Sequence, residues 1–151
     1  MIHVLIEEAC VSFVAEESLK QAGQAVLTHQ GADPNTDLSI VIDSDEKLHN
    51  LNHDFLGIDA PTDVLSFPSD EFDPDEQAVY IGDVIISFQR AEAQAKNAGH
   101  PVINEIQLLV VHGVLHLLGH DHADPVEKTR MWTAQAEILD QLGVQINQLP
   151  E

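Results

Sequence analysis

The sequence predicts an α+β fold: one domain over residues 1–151, with a mixed β-sheet of about four strands packed with about five helices. Three observations carry this expectation. A chain of 151 residues with 44% hydrophobic content suits a single buried core. Short β-branched runs such as Leu38 to Ile42 are interleaved with longer stretches whose apolar residues recur at helical spacing. The two kinds of segment follow one another without strict alternation, which favours α+β over a wholly parallel sheet.

Taken in order, Ile2 to Ile6 alternates weakly and reads as a first strand. From about Cys10 to Ala22, Val11, Val14, Ala15, Leu19 and Ala22 recur with helical period, and Gly23 is a plausible stop. The run from Gly31 to Asn35 has loop chemistry. Leu38 to Ile42 reads as a buried strand, after which Asp43 or Ser44 can cap a helix reaching Leu56. Gly57 to Pro61 is a connection, and Val64 to Phe67 a brief strand ended by Pro68. The acidic segment from Ser69 to Gln77 contains Pro74 and predicts an exposed loop. Tyr80 to Ser87 is a strand, Ser87 to Ala98 a helix closed by Gly99, and Pro101 to Leu118 a long helix. Asp124 and Pro125 open the last helix as N-cap and first helical residue, and it runs to about Leu142.

Charge and cysteine usage narrow the function classes. Six Lys and Arg against 26 Asp and Glu give a net charge of −20, which repels polyanions at long range. No apolar run reaches the ~18 residues of a membrane helix, so no membrane partner is expected. The start lacks a basic segment, and Cys10 is the single cysteine, without a partner for an internal disulfide. A cytoplasmic location is the expectation that follows.

The chemistry concentrates in HGVLHLLGHDH, from His112 to His122, which holds four of the nine histidines. His112 and His116 stand one turn apart on one helix face, so both rings can reach one metal ion. Gly119 is a natural helix end, after which the chain can fold back and present His122. His120 competes, but on a continued helix it would lie about 12 Å along the axis from His112, too far for tetrahedral closure. The expected ligands of one zinc ion are therefore His112, His116 and His122, with His120 beside the pocket. Three ligands leave a fourth position open, as catalysis requires.

Metal proteases of pattern HExxHxxGxxH share the spacing i, i+4, i+10. Here the residue after the first histidine is Gly113, where those enzymes place the glutamate that takes the proton from water. Peptide hydrolysis thus lacks its base, and a phosphodiester polarised directly by the metal is the better substrate. Asp121 has two readings, as a partner of a ligand imidazole or as a group that fixes the turn. Glu105, about 10 Å before His112 along the helix, is too distant for a direct role. Asp63 and Asp83 have two readings, as cleft-lining groups or, more commonly for short Asp-containing turns, as structural ones, and Ser66 and Ser87 have no evident base. His49, His53 and His100 read as surface or loop residues, and Cys10 as packing.

Two further segments join the histidine run: LNHDFLGIDAPTDVLSFP, from Leu51 to Pro68, and IGDVIIS, from Ile81 to Ser87. Together, in order and spacing, the three resemble the YbeY family of single-strand-specific endoribonucleases, over roughly Leu38 to Leu142. The resemblance implies an α+β fold, a zinc ion on the three histidines, and a cleft lined by the PTDVLSFP and GD segments. It also implies a role in maturation of small-subunit ribosomal RNA and in ribosome quality control. The partners would be that RNA, the small subunit and ribosome-associated proteins. A non-catalytic, zinc-stabilised assembly factor, or a metal hydrolase of another substrate, is the alternative. Two positions depart from the family pattern. Leu56 stands where an arginine usually follows the aromatic aligned with Phe55, and His120 stands where an aromatic is usual. Arg90 is the nearest candidate substitute for the missing guanidinium.

Overall fold

The computed structural model describes residues 1–146; the last five residues of the expected 1–151 domain lie outside them. Four strands form one mixed sheet in the order β1-β2-β4-β3. They are β1 (Ile2–Ile6), β2 (Thr36–Asp43), β3 (Val64–Asp73) and β4 (Ala78–Ser87). β1 and β4 each run parallel to β2, and β3 pairs antiparallel with β4 at the edge. Among the described residues there are five α-helices: α1 (Glu16–His29), α2 (Asp45–Leu56), α3 (Phe88–Ala98), α4 (Val102–Leu117) and α5 (Pro125–Leu142). A short 3-10 helix, Glu8–Phe13, precedes α1. The α+β class is as expected.

Alternation along β2 explains the layering. Leu38, Ile40 and Ile42 are fully buried, while Ser39, Val41 and Asp43 between them are half-exposed. One sheet face therefore builds the core and the other meets solvent. α4 is the central helix of that core, apolar almost all round, with Ile106, Leu108, Leu109, Val110, Val111, Val114 and Leu115 buried. This burial carries His112 into the interior.

Two local expectations are corrected. The helix read from Cys10 to Ala22 is instead a 3-10 turn followed by α1, and Gly23 lies inside α1 rather than at its end. A Cβ on Gly23 would stand 3.0 Å from Ile2 Cδ1 and 3.3 Å from Ile40 Cδ1. The glycine lets α1 lie close on the sheet, a packing reason that outweighs its low helix propensity. The strand expected to end at Phe67 continues through Pro68 to Asp73, so most of the segment read as an acidic loop is strand. Pro68 is tolerated because β3 is an edge strand, and the register shifts between Pro68 and Glu71.

The caps follow sequence logic. Ser44, Ser87 and Asp124 accept from the backbone N–H of Lys47, Arg90 and Glu127 at 3.2, 3.2 and 2.8 Å. Buried Asn52 then donates to the Ala60 carbonyl at 2.9 Å and ties down the connection that leads into the PTD segment.

Candidate metal centre

His112 and His116 project from one face of α4, as their spacing requires. The helix ends at Leu117, and Gly119 takes a φ of +98°, a conformation that costs a glycine nothing. The N–H groups of Gly119 and His120 return to the carbonyls of His116 and Leu115, both at 3.0 Å, which turns the chain back. One ring nitrogen from each of His112, His116 and His122 then lies within 4.8 Å of the others. The structure brings these three together. His120 is outside the trio but lines the same cleft, as expected, and its Nε2 meets Gln30 Oε1 at 2.7 Å.

The donor chemistry fits a cation. His112 Nδ1 donates to Gln135 Oε1 at 2.6 Å, so the lone pair of this imidazole is on Nε2. His116 stands one turn further along α4. Its Nε2 lies 3.1 Å from His112 Nε2. Two nitrogens on one tetrahedral zinc at about 2.0 Å are about 3.3 Å apart. Without an ion the two nitrogens share a hydrogen bond, with the proton on one of the rings, and the same spacing lets both face a bound ion. Burial, mainly, depresses the His112 pKa to about 4, and burial also lowers that of His116. Both are neutral at pH 7 and ready to donate to a metal.

Two residues of α5, Trp132 and Gln135, complete the centre and carry no motif signal. The Trp132 ring meets His112 and His122 edge-on, with centroids at 5.8 and 5.6 Å. Gln135 is fully buried, and its Nε2 is the one buried side-chain atom without a partner among the described residues. The glutamine is held for its oxygen, which sets the His112 tautomer. Gln135→Leu is therefore expected to weaken zinc binding roughly 10- to 100-fold. Its melting temperature should fall modestly, because buried His112 Nδ1–H loses its acceptor although the orphaned amide goes too. Competition with a zinc chelator beside thermal melts checks this, and an unchanged affinity would refute it.

The depressed His112 pKa has a further consequence for the metal-free protein. Between about pH 4 and the ordinary value of 6.5, the unfolded chain binds a proton that folded His112 refuses. This stability is complete above pH 6.5 and is lost as pH falls toward 4, by about 3 kcal/mol at most. His116 acts in the same direction. Glu105, whose carboxyl burial holds above its ordinary value, opposes part of the loss. Thermal melts of chelated protein across this range should show the fall, and a flat profile would exclude it.

The trio lines a cleft of about 850 Å³ together with Leu56, Asp63, Ser66, Pro68 and Glu105. Ser66 donates to the Gly113 carbonyl at 3.0 Å, fastening β3 to the histidine helix. The PTDVLSFP segment thus lines the cleft. The GD segment does not: Gly82 and Asp83 are absent from its lining, and Asp83 accepts from the Tyr80 hydroxyl. Gly82, at φ +136°, lies where a Cβ would be 2.2 Å from the Phe67 carbonyl oxygen and 2.9 Å from Leu117. Its role is close packing of α4 on the sheet.

Other placements differ from expectation. His100, read as a surface or loop residue, does lie in the loop between α3 and α4, but its side chain is buried and donates to buried Glu105 at 2.7 Å. Asp121 Oδ1 accepts from the His122 backbone at 2.7 Å, which supports the turn-fixing reading. Ser87 caps α3 and donates to Asp45. Arg90 pairs with Asp45 at 3.0 Å and does not line the cleft, so it supplies no replacement for the arginine missing at Leu56. Among the described residues, no lysine or arginine lines this cleft.

A small α+β protein whose open cleft carries three convergent imidazole donors is the class that fold and site define. The comparisons specify it further. The family model described as Endoribonuclease YbeY matches residues 5–143, and the chain belongs to that family. A Chloroflexus aurantiacus protein named Endoribonuclease YbeY is 47% identical over 135 residues, covering 85% of this chain and 87% of its own. Proteins of the same name from Dehalococcoides mccartyi and Pelotomaculum thermopropionicum are 40% and 43% identical. These cover 89% and 83% of this chain, and 85% of each relative. A Thermotoga maritima protein of known solution structure shares the fold, with a TM-score of 0.58 at 24% identity, covering 95% of this chain and 92% of that one.

Proposed function

We propose that this protein is a zinc-dependent endoribonuclease of single-stranded RNA, acting in the cytoplasm in maturation of small-subunit ribosomal RNA and in ribosome quality control. The observation that carries the reading is the convergence of three imidazole donors on an open cleft, in a chain of the endoribonuclease family. Zinc, bound by His112, His116 and His122, would supply Lewis acidity toward a phosphate oxygen and lower the pKa of water. The protein's own contribution is orientation. Gln135 holds the His112 tautomer, Trp132 walls two of the rings, and the Ser66 bond to Gly113 sets β3 against the histidine helix. The small ribosomal subunit and ribosome-associated proteins are the partners this role requires.

A second reading, a non-catalytic assembly factor, draws on the cleft's lack of lysine and arginine and on Leu56. One experiment separates the two. Zinc-loaded protein is incubated with end-labelled single-stranded and duplex ribosomal RNA fragments, with and without a chelator. Cutting of the single strand alone, abolished by the chelator and restored by zinc, is expected. Intact RNA together with co-sedimentation on small subunits would favour the assembly factor.

A further inference from the structure

Phe55, Leu56 and Ile58, at and just beyond the C-terminal end of α2, are 69%, 54% and 51% exposed. Isolated apolar residues on a surface need no explanation, but three neighbours beside a cleft do. Leu56 lines that cleft. The Phe55 ring meets Phe67 at a centroid distance of 5.7 Å and an interplanar angle of 67°, and Phe67 lies between the cleft residues Ser66 and Pro68. This contact holds the aromatic at the rim and leaves most of its surface in water.

Charge decides what such a rim can take. The protein carries −20, and none of its six lysines and arginines lines the cleft, Arg130 lining instead an adjoining pocket that shares Gly119, His120 and Asp121. Arg90 pairs with Asp45, Lys20 with Glu16 at 3.2 Å, and Lys128 lies 5.5 Å from the Trp132 ring centroid. With no cation lining the cleft, little remains to grip a phosphate backbone. Base faces are uncharged, and stacking on an aromatic ring is indifferent to the sign of the protein's field.

We infer that Phe55 is a stacking platform for an unpaired nucleobase of the RNA in the cleft, with Leu56 and Ile58 beside it, and that this contact does the holding a phosphate-binding arginine would otherwise do. The inference rests on the ribonuclease reading and adds to it a residue that selects single strands. A base in a duplex has both faces occupied and cannot use the platform.

The test is fluorescence anisotropy of a short labelled single-stranded RNA with zinc-loaded protein across a salt series. Phe55→Ala is expected to raise Kd about 5- to 100-fold. Phe55→Leu should behave like Phe55→Ala, and Phe55→Trp like the wild type, because aromaticity rather than bulk is required. The dependence of log Kd on log salt should be shallow and unaltered by the substitution. An abasic residue scanned through the RNA should at one position weaken wild-type binding by the same factor and cost Phe55→Ala protein nothing further. Equal affinity for wild type and Phe55→Ala overturns the stacking while leaving the ribonuclease reading intact. So does a dimer that Phe55→Ala dissociates without changing RNA affinity, since a second copy would then cover the ring. A wild type that binds no RNA overturns both. The exposed ring should leave the melting temperature unmoved in every variant.

Discussion

His116→Ala protein is expected to fold, to lose its divalent ion, and to cut single-stranded RNA roughly 10³-fold more slowly, the rate equivalent of about 4 kcal/mol of lost charge stabilisation. The fold should survive because His116 is only half-buried and faces the cleft, so its removal leaves a solvated gap rather than a sealed cavity. Two imidazoles hold zinc far less well than three. Elemental analysis and an RNA cleavage assay on the same preparation check both halves of the expectation. Full activity in a protein without bound metal would remove the metal from the reaction altogether.

The second large effect concerns Gly113, where the metal proteases with this histidine spacing carry their base. Gly113→Glu is expected to unfold the protein or cost more than about 4 kcal/mol, and to confer no peptidase activity. A Cβ at this position would be 2.5 Å from Val84 Cγ1, 3.1 Å from Val84 Cγ2 and 3.3 Å from Ser66 Oγ. Val84 is fully buried, so a glutamate would drive both volume and charge between helix and sheet. Gly113 therefore faces the sheet and not the substrate, which is a packing reason for the missing base. Gly113→Ala should be milder, because Val84 can shift for one methyl. Expression tests and thermal melts measure this. A Gly113→Glu protein melting with the wild type would show that α4 does not lie so close to β4.

Much of the site could be read along the chain. The pairing of His112 with His116 depends on one helical turn, and the selection of His122 over His120 depends on Gly119 ending the helix. The cap at Asp124, and the one at Ser44 as one of two candidates with Asp43, were equally legible, because a cap is a contact across three residues. Segments failed where a distant partner overruled the local signal. Gly23 reads as a stop, yet it lies inside α1 where Ile2 and Ile40 leave little room for a side chain. Pro68 looked like the end of a strand, yet an edge position needs no N–H from it. His100 reads as a surface or loop residue, and it is in the loop between α3 and α4, yet α4 places buried Glu105 beside its buried side chain.

The nearest-neighbour chemistry of the chain, its periodicities and turn residues, was enough to specify an α+β protein and a helix carrying two convergent imidazoles. Those properties reside within a few positions of backbone, so no knowledge of packing is needed to read them. The orientation of His112 by Gln135, 23 residues on, the closeness of Gly113 to Val84 and the absence of cations from the cleft were settled only when helices and sheet came together. Each depends on which surfaces the core brings into contact, and a collective burial of that kind leaves no periodic trace in the order of the residues.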